Sequence, residues 1–527
     1  MNSATISREP ARSRANRASW LLFAVILLVQ AAFFYYVSQH RLVDDDEGYY
    51  LLASRLVIEH KTPYLDFFYQ QAPLLPYVFG AWFKLAGISW VSARVLCALL
   101  SAMVGGLIYW HVLRETGKWI AGACAVLLFA SSSLVFPWLP IVKTFALSLL
   151  FLFPAYMICA RLSPQSSGWV VAVAGALFAL AADARSYIVA LLPVFLWWLW
   201  RGCPTHSRFS NEWDSHRLTR VLWFAAGVAL GALPSLVLFA ASPAAFLYNN
   251  LGYHAMRTDA GLVGDRQQKL LTIAAVFAGP YTGFQFTATS VVAFGLIVFR
   301  KARCGAAVLA LVIGIALGLI SMLPTPFSMQ YLSLVMPFLI VAAVLAASEY
   351  LALAHAPRTH RRLQIACVAL VIAFVGFAVP IFRQYLFTGY KVPGIHGAAD
   401  VPNWTLERLT EVSQAVDELA RPGETVLSFF PGYIFATRAA PYPGMENNFG
   451  LLIAQELPPE KRQRYRLVTP GDLQQALARH EMRLVVVSSN QGYWNAELDY
   501  APILAALRAY GYTPVRQIGD IYIYAGG

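Results

Sequence analysis

The chain has 527 residues, of which 58% are hydrophobic and 13% are charged, and its mean hydropathy is +0.55. This balance excludes an ordinary soluble globular protein and is typical of a polytopic membrane protein. The net charge of +12 does not indicate a nucleic-acid partner, because the basic residues form short clusters between apolar runs, as the positive-inside rule describes for cytoplasmic loops. We therefore expect a lipid bilayer as a partner and no nucleic acid.

The apolar runs and the charges between them predict about eleven transmembrane helices. The first run follows a basic N-terminus and lacks a small-residue cleavage site, so it is predicted to be an uncleaved signal anchor. Every basic cluster falls on the side of the N-terminus, which predicts a bacterial inner (plasma) membrane protein with its N-terminus in the cytoplasm. The predicted spans lie near residues 19–38, 90–113, 119–136, 139–160, 168–184, 187–200, 221–241, 283–299, 305–323, 330–354 and 364–382.

The chain is predicted to divide into a membrane domain, residues 1–383, and a periplasmic α/β domain, residues 384–527. In the second part, helical patterns at 404–422, 472–480 and 502–511 alternate with strand-like runs at 424–430, 483–489 and 521–525. Such alternation indicates one small α/β domain. The six cysteines have no CxxC spacing, so neither a zinc site nor a disulfide framework is predicted.

Four consecutive acids open the first predicted outer loop, residues 40–88. They are Asp44, Asp45, Asp46 and Glu47. Crowded acids at a membrane surface repel one another and lose solvation, so at least one should have a raised pKa. Such a carboxylate can serve as a general base near neutral pH. Alternatively, the aspartates only cap a helix that begins near Glu47, because Asp is a favoured N-cap residue.

The other ionisable residues gather at the predicted outer ends of the spans, whereas a transporter would bury charges at mid-membrane. Cations at headgroup level can hold the phosphate of a lipid carrier while a carboxylate acts beside it. Alternatively, the cations snorkel at the interface, Asp183 pairs with Arg185 across a turn, and Tyr331 belongs to an aromatic belt. The candidates outside the acidic run are Arg55, Lys61, Lys143, Asp183, Arg185, His254, Arg257 and Tyr331.

Three stretches resemble the C superfamily of lipid-linked glycosyltransferases, in the branch that contains lipid A aminoarabinose transferase and the protein O-mannosyltransferases. They are DDDEGYYLLASRLVIEHKTPYLDFFYQQAPLLPY in the first outer loop, YHAMR in a later one, and MQYLSLVMPF at the start of a late span. The resemblance covers most of residues 1–383 and depends on the order of the motifs. It implies a polyprenyl-phosphate-linked sugar as the donor and a lipid, glycan or protein as the acceptor.

The resemblance also assigns roles to residues. Asp46 would be the catalytic carboxylate, with Asp45 and Glu47 beside it, while Arg257 would hold the donor phosphate and Tyr331 would line the donor pocket. The chain departs from the aminoarabinose enzymes in two places, with Gln70-Gln71 in place of Glu-Lys and Lys143 in place of an acid. Lys143 or Lys61 is then expected to supply the missing positive charge.

No metal or cofactor is expected to be required, although the acidic run offers the oxygen ligands that a divalent cation prefers. Two other functions stay open from the sequence. A transporter or flippase of a lipid-linked or small polar substrate predicts charges within the spans and broken helices in paired halves. A membrane-anchored sensor predicts an outer ligand-binding domain and a purely structural role for the acids.

Overall fold

The computed structural model describes residues 17–526 with short gaps, and the described part is mostly helical. The predicted phosphate-binding Arg257 lies outside the described residues. So does most of the basic loop between the sixth and seventh predicted spans. The gaps are residue 164, 202–216, 257–260, 300–303, 325–326, 355, 390–394, 396–397 and 490–500.

Each predicted span overlaps one or two helices. The helices of the first part are α1 (Arg17–His40), α2 (Asp45–Ile58), α3 (Leu74–Ala86), α4 (Trp90–Thr116), α5 (Trp119–Ser131), α6 (Thr144–Ala160), α7 (Gly168–Ala184) and α8 (Leu192–Arg201). The next are α9 (Arg217–Gly231), α10 (Leu233–Ala241), α11 (Pro243–Leu247), α12 (Tyr253–Met256), α13 (Gly261–Ala278), α14 (Thr282–Phe294), α15 (Gly305–Ser321), α16 (Met336–Leu353), α17 (Pro357–Gly376) and α18 (Ala378–Arg383). Short 3-10 or π-helical turns extend several of them, at Ser186–Leu191, Tyr248–Gly252, Gly295–Phe299, Met329–Leu334 and Gln384–Thr388.

Five helical segments of the described chain are long and apolar enough to cross a bilayer, which makes the protein a multi-pass membrane protein. A sixth crossing arises if α9 and α10, which are bent by 55° at their junction, form one span. The other predicted spans are apolar helices of 10–17 residues, shorter than the roughly 20 residues that a straight crossing needs. The number of eleven spans therefore stays a prediction.

The fourth predicted span begins later than the sequence pattern indicates. Residues 132–143 are not helical, and all of them are buried. Pro137 and Pro140 lie in this stretch, and proline lacks the backbone N–H that a helix interior uses. The chain therefore forms a buried irregular segment, here called the 132–143 segment, and α6 begins directly after Lys143.

The C-terminal part contains the α/β structure that the sequence predicts. Its helices are α19 (Leu406–Leu419), α20 (Gly450–Ala454), α21 (Pro459–Tyr465), α22 (Pro470–Ala478) and α23 (Ala501–Ala509). Its strands are β1 (Thr425–Ser428), β2 (Ala440–Pro441), β3 (Leu484–Ser488), β4 (Thr513–Ile518) and β5 (Ile521–Ala525). The strands β2 and β4 were not predicted from the sequence. β4 is almost entirely exposed, so it carries none of the apolar alternation by which a half-buried strand is recognised.

The sheet has the order β2-β1-β3-β5-β4, with β1 parallel to both of its neighbours and β5 antiparallel to β3 and β4. β3 is buried on both faces. Val485 and Val487 pack with α22 and α23 in a small core of their own. Leu484 and Val486 belong instead to the large core that continues into the membrane part. Because side chains alternate between the faces of a strand, one strand joins the two cores.

The C-terminal part lies directly on the first outer loop. The guanidinium of Arg55 in α2 donates hydrogen bonds to the carbonyls of Ile434, Thr437 and Ala439, at 3.0, 2.8 and 2.8 Å. A Cβ atom on Gly48 would come within 2.6 Å of the backbone nitrogen of Gly432. Only glycine permits this approach, so the start of α2 is covered by the C-terminal part.

Candidate active site

The start of α2 is fixed by a capping box. The N–H of Asp46 donates to the Asp44 side chain at 3.3 Å, and the N–H of Asp44 donates to Glu47 Oε1 at 2.8 Å. Such a reciprocal arrangement satisfies donors that a helix start leaves open. The capping interpretation is thus correct for Asp44, although the helix begins at Asp45 and Glu47 completes the capping box. It does not explain Asp46, which lies in the first turn.

Glu47 forms a buried ion pair with Arg94 of α4, a residue that the sequence analysis missed. Arg94 Nε and Nη2 each lie 2.6 Å from a carboxylate oxygen, and neither side chain is exposed. The N–H of Val142 also donates to Glu47 Oε2 at 2.9 Å. An arginine in the first turn of an apolar run, where an ionisable residue is costly, is the signal that could have found it.

Arg94 also ties the end of α1 to this pair. Its Nη1 donates to the carbonyls of Ser38 and Arg41, at 2.6 and 3.0 Å. The ion pair therefore connects α1, α2, α4 and the 132–143 segment at one point. Because both oxygens of Glu47 are occupied and the side chain is not exposed, its position favours a structural role over a catalytic one.

Lys143, at the end of the 132–143 segment, lies among the aspartates. Its Nζ is 2.6 Å from Asp44 Oδ1 and 2.7 Å from Asp46 Oδ2, and its side chain is 2% exposed. Burial by itself would lower the pKa of Lys143, but the three nearby aspartates raise it above its ordinary value. The ammonium therefore stays charged.

The three aspartates differ in protonation. Burial would raise the pKa of Asp44, but the charge of Lys143, a hydrogen bond with Asp45 and the charge of Arg41 together outweigh it, and the pKa is lowered to about 2. For Asp45, burial and then the charges of Asp44 and Asp46 raise the pKa well above the usual range. The raised carboxyl that the sequence predicts is thus Asp45. Lys143 contacts two aspartates, and Asp46 is the more exposed of them. Its side chain is 26% exposed, against 1% for Asp44.

A second cation contacts Thr144, the residue that follows Lys143. Arg185 follows α7, is buried, and donates from Nη1 to the hydroxyl of Thr144 at 2.8 Å. Its guanidinium packs over the rings of Phe145 and Tyr331, at 4.5 and 4.9 Å. Its Nε is buried and makes no hydrogen bond to a described residue. Burial, and then the charge of Asp46, raise the pKa of Tyr50, while the charge of Arg185 lowers it, so this phenol lies within the field of both groups.

The predicted residues Lys143, Arg185 and Tyr331 are therefore brought to one place with Asp46. The alternative in which Asp183 pairs with Arg185 is wrong, because Asp183 accepts its hydrogen bond from the hydroxyl of Ser235 while Arg185 turns towards Thr144.

Another cation, Arg41, was not singled out from the sequence. It is buried, donates from Nε to the carbonyl of Pro137 at 3.2 Å, and lies 3.7 Å from Asp44. Its guanidinium lies over the rings of Trp138 and Tyr385, at 5.2 and 4.8 Å. A basic residue at the outer end of an apolar helix normally snorkels to the interface. Nothing in its local sequence distinguishes it from that common case.

The remaining predicted residues are Lys61, Gln71 and His254. Lys61 and Gln71 lie between α2 and α3, and His254 of α12 packs against this turn. The carbonyl of Gln71 accepts a hydrogen bond from the Tyr64 hydroxyl at 2.6 Å. His254 Nε2 lies 3.0 Å from the carbonyl oxygen of Gln70, so the segment around α12 packs against this turn. Lys61 is exposed, and its charge acts on Glu446 of the C-terminal part.

The aspartates also meet one condition for a metal site, since ligand oxygens of Asp44, Asp45 and Asp46 lie within 4.8 Å of one another. Oxygen ligands of this kind suit Mg²⁺, Mn²⁺ or Ca²⁺. The ammonium of Lys143, however, lies among them and engages one oxygen of two aspartates. The residues present therefore do not form an open ligand set for a divalent ion.

The fold, an apolar helix bundle with the acidic run beneath an α/β part, is shared with two solved proteins, and this likeness agrees with the predicted resemblance. The structure is similar to ArnT from Cupriavidus metallidurans bound to undecaprenyl phosphate, with 14% identity and a TM-score of 0.62 over 97% of this chain and 98% of that chain. The apo state of the same protein gives a TM-score of 0.63, with the same identity and coverage.

The structure is also similar to the archaeal oligosaccharyltransferase AglB from Archaeoglobus fulgidus in complex with an inhibitory peptide and a dolichol-phosphate. The identity is 13% and the TM-score 0.52, over 97% of this chain and 74% of that chain. No protein-family model and no curated protein matches the sequence. At these low identities the likeness establishes the fold.

Proposed function

We propose that this protein is an integral-membrane glycosyltransferase. It moves one sugar from a polyprenyl-phosphate carrier to a lipid, glycan or protein acceptor on the outer, periplasmic face of the membrane. The observation that carries the proposal is that a partly exposed carboxylate, Asp46, and a buried arginine, Arg185, contact two consecutive residues, Lys143 and Thr144. Two proteins of the same fold support the choice of donor, since one is bound to undecaprenyl phosphate and the other to a dolichol-phosphate.

Asp46 is the proposed general base. Lys143 holds Oδ2, which leaves Oδ1 to receive the proton of the acceptor hydroxyl. As that proton moves, the acceptor oxygen forms a bond to the anomeric carbon, and the bond from this carbon to the phosphate oxygen breaks. Attack from the face opposite the phosphate inverts the configuration of the anomeric carbon. A positioned base of this kind contributes roughly 10²- to 10⁴-fold to the rate.

Arg185 is the proposed phosphate ligand. Negative charge develops on the phosphate as the sugar departs, and preorganised donors at that position stabilise the transition state. The guanidinium stays charged and presents a planar fork of donors, and its buried Nε is available to an incoming oxygen. Tyr331 packs on Arg185 and would line the donor pocket. The resemblance gives Arg257 the same phosphate-binding role, and the two arginines would share it.

The C-terminal part would bind the acceptor. The ring of Phe449 lies 5.8 Å from that of Tyr49, three residues after Asp46 in the chain. Asn447 and Asn448, just before it, are 1% exposed. Within the described chain, Nδ2 of both and Oδ1 of Asn448 lack a hydrogen-bond partner. Amide groups both donate and accept hydrogen bonds, which suits the hydroxyl groups of a sugar.

The transporter alternative predicted broken helices in paired halves. The described residues contain one bent helix pair, α9 and α10, and its bend lies away from the acidic run in the sequence. The cations Lys143 and Arg41 lie instead beside Asp44 and Asp46 at the start of α2. The observations therefore favour an enzyme.

The test compares wild type with Asp46→Asn and with Glu59→Gln, a change at an exposed acid at the opposite end of α2. Purified proteins in nanodiscs receive a panel of radiolabelled polyprenyl-phosphate sugars and a membrane extract as the source of acceptor. We expect wild type and Glu59→Gln to move label from one donor, and Asp46→Asn to be slower by at least about 10²-fold. Transfer at the wild-type rate by Asp46→Asn would remove the mechanism. No transfer from any donor by wild type would contradict the function.

A further inference from the structure

We infer that the ammonium of Lys143 takes the place of a divalent cation in the cluster of Asp44, Asp45 and Asp46. The protein then orients its base with a cation built into the chain and needs no divalent metal there. The part of this inference that concerns catalysis rests on the proposed function. The part that concerns cation binding stands on the contacts alone.

The position of the ammonium carries the first step. Lys143 Nζ bridges Asp44 Oδ1 and Asp46 Oδ2, at 2.6 and 2.7 Å, from a side chain that is 2% exposed. The centroid of the Trp138 ring lies 5.7 Å from Nζ, so the ring packs against another side of the ammonium. An ammonium is a compact point charge with three donors. It therefore satisfies two carboxylates at once, as a bridging metal ion would.

The charges around the cluster carry the second step. Glu47 is neutralised by its bidentate pair with Arg94. Asp44 and Asp46 face Lys143, and Arg41 adds a further positive charge 3.7 Å from Asp44. A divalent ion placed here would meet two fixed cations and would need to displace the ammonium from both oxygens. Mg²⁺ and Ca²⁺ take six or more oxygen ligands, and the cluster with Lys143 in place does not offer them.

The consequence for the reaction is a fixed base. Lys143 is the N-cap residue of α6, so its backbone belongs to the membrane part and its Nζ reaches the first turn of α2. It thereby holds one oxygen of Asp46 and leaves the other for the acceptor. Lys143 is a positioning residue in this arrangement. Its removal would leave Asp46 without its counter-ion and Asp44 with only Arg41, at 3.7 Å, and the two carboxylates would then attract a divalent cation.

The experiment measures Mn²⁺ binding by electron paramagnetic resonance on the full-length protein in detergent, after removal of trace metals. The variants are Lys143→Ala, Lys143→Arg, and Lys84→Ala as a matched control at an exposed lysine of the same outer loop. We expect wild type, Lys143→Arg and Lys84→Ala to bind no more Mn²⁺ than Asp44→Asn does. Lys143→Ala should bind about one further ion, with a Kd on the order of 10⁻⁴ M. Adding Asp44→Asn to Lys143→Ala should remove it.

Two results would overturn the inference. One is Mn²⁺ bound by wild type and lost in Asp44→Asn. The other is a Lys143→Ala protein that keeps its thermal unfolding transition yet binds no additional ion. If Lys143→Ala does not fold, the Mn²⁺ titrations of wild type and Lys143→Arg decide. Mn²⁺ bound by either of these proteins and lost when Asp44→Asn is introduced would contradict the proposal. Since Mn²⁺ binding does not depend on transfer, an absence of transferase activity would reject the proposed function and leave this result readable.

Discussion

Glu47 and Arg94 form a bidentate ion pair in which neither side chain is exposed, although 47 residues separate them in the chain. The pair lies directly behind Asp46, and it joins the capped start of α2 to the first turn of α4. A carboxylate that must meet a substrate within a fraction of an ångström needs such support from rigid elements. The pair therefore defines where the proposed base stands.

Arg94→Leu should destabilise the protein strongly, because it leaves the charge of Glu47 buried without a partner. Removal of one member of a buried pair typically costs roughly 3–5 kcal/mol. The double variant Glu47→Leu/Arg94→Leu should recover part of that loss, since it removes both charges. Thermal unfolding of the four proteins in detergent gives the coupling energy. Additive effects of the two single changes would show that the pair is not coupled.

Arg185→Lys should reduce kcat/KM for the donor by about 10²-fold, because lysine keeps the charge but loses the planar fork. Direct binding of polyprenyl phosphate should weaken in parallel, while the unfolding temperature stays unchanged. Arg161→Lys is the matched control. Arg161 is a partly exposed arginine at the C-terminal end of α6, and it forms an ion pair with Glu115. Equal losses in the two variants would speak against a specific phosphate contact.

Arg55→Met should loosen the C-terminal part from the first outer loop. The change removes three hydrogen bonds from a charged donor to backbone carbonyls, and each such bond contributes roughly 1.5–3 kcal/mol. Limited proteolysis should then cut between α18 and α19 several-fold faster than in wild type. Glu59→Gln, which removes only the ionic partner of Arg55, should be cut at the wild-type rate. An unchanged cleavage rate in Arg55→Met would show that other contacts hold the two parts together.

Stability should fall as the pH rises through neutrality, because of Glu446. Burial raises the pKa of Glu446 to about 7, against roughly 4.3 in an unfolded chain. Because the pKa is higher in the folded state, protonated Glu446 contributes to the free energy of unfolding. This contribution is complete below about pH 4 and is lost as the pH rises through about 7. Unfolding temperatures between pH 5 and 9 should show this step in wild type and in Glu407→Gln, a change at an exposed glutamate. Glu446→Gln should lack the step, and its persistence there would assign it to another group.

Much of the architecture could be predicted from local sequence. Each predicted span overlaps one or two helices, and strands are present within 424–430, 483–489 and 521–525. The error at the fourth span arose because hydropathy alone does not show that Pro137 and Pro140 leave the chain buried but not helical. The edge strand β4 was not predicted, because it is exposed and carries no apolar alternation.

The sequence by itself determined the class of multi-pass membrane protein, the acidic run and the candidate cations, because apolar length and clustered charge are properties of neighbouring residues. The chemistry of the four acids did not distinguish them, and only the family resemblance named Asp46 as the catalytic carboxylate. Only the tertiary structure decided between them, by bringing Lys143 to Asp46 across 97 residues and Arg94 to Glu47. Whether a carboxylate is buried and paired or partly exposed depends on which helices pack against it. Adjacent residues of the same chemical type therefore take different roles.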